Sequence, residues 1–216
     1  MMSVNIGGNA FNLNVQEEED GLGYRVYWEA QVPAAPLTTW GRGAEQLGAE
    51  PLPVACISNS EEPPLPHQQA AAEWLLANFE DVAKRIQTQC ESAWKGCYYW
   101  EGNEMEDDDE YCVEGVRIPP GESFDWVGEP RSRSLPALIV IDFDQCWELE
   151  HAFYVVIDPT DSRKDCWTTW DGMGDMGLIY EEDDEDYDDD DDFGDDDFDS
   201  DEDFDDDFDG DDFDDD

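Results

Sequence analysis

Positive charge is scarce in this sequence: Lys and Arg number 10 among 216 residues, against 60 Asp and Glu, for a formal net charge of −50. So few cations exclude a surface built to hold phosphate, and no basic stripe is present, so direct nucleic-acid binding is not expected. Long apolar runs are missing too. The strongest, ALIVI at residues 137–141, is far short of the roughly 20 residues that cross a bilayer. An acidic surface is also repelled by anionic lipid, so no membrane role is expected. Residues 1–8 offer neither a basic n-region nor an apolar h-region, and the expectation is a soluble cytoplasmic protein without a secretory signal. The six cysteines, Cys56, Cys90, Cys97, Cys112, Cys146 and Cys166, include no CxxC pair, the spacing on which tetrahedral zinc sites usually draw. Without a secretory signal, reduced and mostly buried thiols are expected rather than disulfides. A nucleophile elbow, a P-loop and an HExxH motif are all lacking, so neither an enzyme nor a cofactor or resident metal is expected.

What the sequence does have is negative charge, unevenly spread. Residues 181–216 carry 27 acidic residues and no Lys or Arg, leaving 33 acidic and all ten basic residues to residues 1–180. That body holds all nine tryptophans and has a length typical of one domain. The reading is a single globular domain over 1–180 and a low-complexity acidic tail over 181–216.

Within the body, Phe11, Leu13 and Val15 alternate with Asn12 and Asn14, and Tyr24, Val26, Trp28, Ala30 and Val32 alternate with polar neighbours. Period-2 runs flanking a polar stretch predict an antiparallel hairpin. Pro33 and Pro36 close it, with Trp40 folding back as a core anchor. SNSEEPPLP at 58–66 reads as a linker by its proline content. Residues 67–95 predict one long helix, because Leu75, Phe79, Val82, Ile86, Cys90 and Trp94 share a face. Pro66 suits its first position and Gly96 a left-handed C-cap. Strands are predicted at 112–118, 137–143 and 152–158, the last two in the middle of the sheet by their continuous apolar character. Trp167, Trp170, Leu178 and Ile179 complete the core. The fold class is α+β: a mostly antiparallel sheet with one long packed helix, followed by a disordered acidic tail.

Three constellations invite a chemical reading. Asp142 and Asp144 lie two apart on one strand face, and Glu148, Glu150 and His151 follow in the loop WELEH. Such oxygens with an imidazole could bind a divalent metal and activate water; the plainer reading is a polar connection with Trp147 tucked beneath it. GMGDMG at 172–177 matches a dinucleotide fingerprint letter by letter but opens no crossover helix, and it reads as a flexible turn. Asp205, Asp207, Asp209, Gly210 and Asp216 match calcium-loop spacing in a segment so acidic that chance supplies the match.

The tail itself is informative. Repulsion among its carboxylates favours an open chain, and the body's like charge turns it outward. Tyr187, Phe193, Phe198, Phe204, Phe208 and Phe213 recur about every five residues, each embedded in acid. Carboxylates along an extended chain, interleaved with rings, resemble single-stranded nucleic acid in outline, and a groove that binds phosphates and stacks bases could accept them. The plainer alternative is a solubilising charged brush.

The order of hairpin, linker, helix and apolar strand leading into Trp147, Glu150 and His151 of WELEH, then the aliphatic strand 153–157, resembles an uncharacterised bacterial domain family linked with immunity proteins of polymorphic toxin systems. The resemblance covers about 11–158. Glu148 and Ala152 stand where the family pattern has Asp and Gly. It implies a small α+β protein that binds and neutralises another protein. The functional expectation is therefore a non-catalytic acidic protein of immunity or inhibitor type with a basic protein partner. The alternatives are a metal-dependent enzyme using Asp142, Asp144, Glu148, Glu150 and His151, and a chaperone-like or cation-buffering role for the tail alone.

Overall fold

The computed structural model describes residues 2–17, 24–41, 51–58, 60–96, 111–121, 130–145 and 152–178. Their architecture is α+β, an eight-stranded mixed sheet with few helices. The strands are β1 (Ser3–Ile6), β2 (Asn9–Glu17), β3 (Tyr24–Val32), β4 (Leu52–Ser58), β5 (Tyr111–Ile118), β6 (Ile139–Gln145), β7 (Tyr154–Ile157) and β8 (Cys166–Thr168). They lie side by side in chain order, β1 through β8. Every neighbouring pair is antiparallel except β4 and β5, which run parallel. The short α1 (Ala35–Thr38) follows β3. A parallel pair needs a crossover, and α2 (Pro66–Ala77) with α3 (Phe79–Gly96) lies in that connection.

The expected hairpin of β2 and β3 forms in register, Leu13 opposite Trp28 and Val15 opposite Val26. A strand unforeseen in the sequence precedes it. β1 joins β2 through Gly7 and Gly8, both at positive φ (57° and 85°), the paired left-handed geometry that a two-residue hairpin turn requires. β4 was likewise unforeseen, with Pro51 before it and Pro53 inside it. The segment read as a linker is strapped down: the Trp28 indole Nε1 donates to the Glu62 carbonyl at 2.8 Å, and Pro64 is buried.

The single predicted helix is two. Asn78 ends α2, with its Nδ2 donating to the Trp74 carbonyl at 2.6 Å, and its own carbonyl accepts from the amides of Asp81 and Val82 to start α3. The apolar stripe survives the break because Leu75 and Phe79 flank it in step: Leu75, Val82 and Ile86 are fully buried, and Phe79 and Cys90 pack against the core. Pro66 is the first residue of α2, as expected, and Gly96 is the last helical residue of α3. Gln68 locks the crossover in place. Its Nε2 donates to the carbonyls of Ile57 and Ile118, both at 2.8 Å, at the ends of the two parallel strands.

Two cores result, one on each face of the sheet. The larger gathers Phe11, Trp28, Leu52, Val54, Ile118, Ile139, Ile141 and Ile157 beneath the helices. A ring chain runs along it: Trp40 meets Tyr111 and Phe143 edge-on at 5.6 Å each, Phe143 meets Phe153 at 5.4 Å, and Phe153 stacks on Trp167 at 6.3 Å. Gly41, at φ +107°, lets the chain turn against β5, where a Cβ would collide with the Tyr111 carbonyl oxygen. The smaller core sets Leu138, Val140, Tyr154, Val156 and Cys166 under Met173, Met176 and Leu178. This corrects the reading of GMGDMG as a flexible turn. Residues Trp170–Asp175 form the short helix α4, closed when Gly177 at φ +62° lets the amides of Gly177 and Leu178 bond back to Gly174 and Met173, a Schellman ending. Trp170, expected in the core, is 43% exposed. β6 and β7 are interior strands but sit sixth and seventh of eight rather than central.

Candidate functional site

Along β6, Ile139, Ile141 and Phe143 face the helices, so Asp142 and Asp144 share the opposite face as the alternation requires. Their environments diverge. Asp144 is exposed. Asp142 is opposite Gly115 of β5 and Tyr154 of β7, beside a bulge in β5 between Val113 and Gly115. It is engaged by Arg117: Nε lies 3.0 and 2.9 Å from the two carboxylate oxygens and Nη2 lies 2.6 Å from Oδ1. The guanidinium also rests 5.3 Å over the Tyr154 ring. Burial pushes the Asp142 carboxyl above its ordinary value and Arg117 opposes that push. For Arg117 burial works downward, and Asp142 with Tyr154 more than offsets it, so the guanidinium stays charged. Both carboxylate oxygens of Asp142 therefore face a fixed cation.

Removing that cation tests the arrangement. Arg117→Met should destabilise the fold at pH 7 by on the order of 2 kcal/mol, less than the 3–5 of a fully buried pair. The loss should shrink on acidification, since protonating Asp142 removes the orphaned charge. Arg117→Met with Asp142→Leu should recover most of it, measured by urea unfolding; a double variant as weak as the single one would rule out the pair as the cause.

Trp147, Glu148, Glu150 and His151 lie outside the described residues, as do Tyr187, Phe193, Phe198, Phe204, Phe208 and Phe213. Among the described residues no group of three or more His, Cys, Asp or Glu is placed to hold a metal ion. His67 sits at the start of α2 with Nε2 3.2 Å from the Pro120 carbonyl oxygen, and burial lowers its pKa. Burial pushes the Cys56 and Cys90 thiols up to about 12, so both stay protonated and inert; Cys112 and Cys166 are buried and free of disulfides as well. A groove of about 510 Å³ beside the helix break is lined by Pro36, Leu76, Phe79, Glu80, Asp81 and Lys84, and it joins no acid–base pair to a nucleophile.

The most elaborate polar cluster was not foreseen from the sequence. Asp158, 1% exposed, and Asp165, 2% exposed, lie under the turn between β7 and β8. Arg131 forks onto Asp158, with Nη2 2.9 Å from Oδ1 and Nη1 on Oδ2. Arg85 of α3 donates from Nε to Asp165 at 2.6 Å and from Nη2 to the Asp158 carbonyl at 2.7 Å, with its guanidinium 5.2 Å from the Trp74 ring. Thr160 supplies Asp158 with an amide at 2.7 Å and a hydroxyl at 2.6 Å. Burial works to raise the Asp158 pKa, but Arg131 and Thr160 outweigh it and bring the carboxyl down to about 2. Every strong donor here is turned inward, so the cluster fastens α3, the turn and the 131–136 segment together and offers no group to a ligand.

Four of the ten basic side chains, Arg85, Arg117, Arg131 and Arg163, thus face carboxylates of their own chain, while Glu61, Glu62, Glu73, Glu80 and Glu114 stand exposed. No protein-family model matches the chain, and neither a curated protein nor a solved structure does.

Proposed function

We propose that this chain is a non-catalytic acidic interaction protein that occupies a basic protein partner, in the manner of an immunity or inhibitor protein. In this reading residues 181–216 serve as a polyanion that imitates single-stranded nucleic acid. The observation that carries it is the composition of that segment: 27 carboxylates, no Lys or Arg, and six regularly spaced rings. The body supports it, because Arg85, Arg117 and Arg131 are engaged by internal carboxylates while acids such as Glu73 and Glu80 face outward. A field of one sign steers cationic partners inward and speeds their association. The rings add what charge alone lacks, a face on which a base-stacking groove can close. A toxin or other protein with a nucleic-acid cleft is the partner class this chemistry fits.

The test is displacement of a labelled oligothymidylate from a single-strand-binding protein with a cationic, aromatic groove. The parent chain should displace it, with an apparent affinity that falls steeply as NaCl rises. Changing Tyr187, Phe193, Phe198, Phe204, Phe208 and Phe213 to Ser should weaken displacement at least about tenfold, since one stacked base is worth roughly 1–3 kcal/mol. Equal displacement by the two chains would end the mimicry reading.

A further inference from the structure

The first sixteen residues, MMSVNIGGNAFNLNVQ, form the longest stretch without a charged side chain in a sequence that is 32% charged. They build β1 and most of β2, and β1 is the end strand of the sheet. An open edge is a template for another strand, and proteins commonly guard it with charge, proline or a bulge. β1 itself has none of these, and among the described residues its guard is that it is short.

Its hydrogen-bond parity can be worked out. The Leu13 amide donates to the Met2 carbonyl, and Ile6 and Asn9 close the two-residue turn. Bonded and non-bonded pairs alternate in an antiparallel ladder, so Met2, Val4 and Ile6 direct their backbone groups at β2. Ser3 and Asn5 direct theirs outward. The side chains sort the same way: Val4, paired with Phe11, lies on the helix-covered face, and Ser3 and Asn5 lie on the other.

We propose that this edge pairs with the β1 edge of a second copy of the chain, antiparallel about a two-fold axis at Val4. In that register Ser3 faces Asn5 of the copy and Asn5 faces its Ser3, which satisfies the four outward backbone groups of each strand with four hydrogen bonds. On the helix side Val4 meets its own counterpart, and Met2, 48% exposed, comes to lie beside Ile6 of the copy. Charge favours the place: two chains of −50 repel each other wherever carboxylates meet, and β1 and its turn carry none. Four hydrogen bonds with little apolar contact make a weak association, and long-range repulsion opposes even that until salt shortens the Debye length to roughly 3 Å at 1 M. Self-association thus strengthens with salt, opposite in sign to capture of a cationic partner, so the two readings stand or fall separately.

Sedimentation velocity of the full chain at millimolar concentration, in 0.1 M and then 1 M NaCl, is the test. The association constant should rise at least about tenfold between the two salts. Asn5→Pro should abolish it, because the lost N–H points away from β2 and proline is tolerated at such edge positions. Ser3→Asp with Asn5→Asp, which leaves the backbone free to pair but places carboxylates across the axis, should also return the chain to monomer, with an unchanged circular dichroism spectrum. A chain that stays monomeric in 1 M NaCl overturns the proposal, as does a dimer that persists in both variants.

Discussion

Removing residues 181–216 is expected to lower the affinity for poly-lysine on the order of a hundredfold at 50 mM NaCl and to flatten its salt dependence. The deletion takes the net charge from −50 to −23 and takes with it the part of the chain where charge is densest. Binding between polyelectrolytes is driven by released counterions, so the slope of log K against log salt reports how many charges are neutralised. Titration calorimetry or fluorescence anisotropy across 50–500 mM NaCl measures both. If the truncated chain keeps the slope of the parent, the body and not the tail is the polyanion that matters, and the proposed role of the tail fails.

A second large effect is expected at the turn cluster. Asp158→Ala leaves Arg131 buried without its carboxylate, and breaking a buried ion pair from one side costs about 3–5 kcal/mol. The pH dependence carries the sign. The folded pKa of about 2 lies below the ordinary value of 3.8, so the stabilisation is fully present above pH 3.8 and is lost as pH falls from there towards 2. Urea unfolding of parent and variant should therefore show a wide gap at pH 7 that narrows below pH 4. A gap that stays constant down to pH 2 would locate the loss in packing rather than in the carboxylate.

Much of the sheet was legible because its signals are local. Phe11 and Leu13 alternate with polar neighbours, and so do Val26, Trp28 and Ala30; the pleat turns that alternation into one face packed on the core, which Val15, 43% exposed, overruns at the strand's end. β4 was hidden because Pro53 reads as a strand breaker, although as the second residue of the strand it costs the ladder little. β1 was hidden by its brevity, even though Gly7 and Gly8 spell a hairpin turn. The helix break at Asn78 left no mark on the apolar stripe, since Leu75 and Phe79 keep an i, i+4 step across it. In GMGDMG the glycines suggested slack, while Met173, Met176 and Leu178 were the residues that needed a surface to cover.

The polar architecture was harder to read for a physical reason. Arg131 and Asp158 are 27 residues apart, and Arg85 and Asp165 are 80 apart, so no spacing rule links them; only the packed sheet brings them together. Asp142 and Asp144 were placed on one face correctly, but alternation does not reveal that Arg117 on the next strand engages Asp142. The signal that could have found it is the bulge, which brings Gly115 opposite Asp142 and leaves room beside it for a guanidinium.

The strand order itself has a kinetic consequence. Because each strand lies beside the one made just before it, the sheet can grow during synthesis as the chain emerges, with a partner always in place. Hairpins close over short distances and quickly, whereas the β4–β5 joint must wait for both helices of the crossover. Gln68, which bridges the ends of those two strands, is then a latch that shuts only once β5 arrives. Until β5 arrives, the far edge of β4 lacks the neighbour that it has in the native sheet.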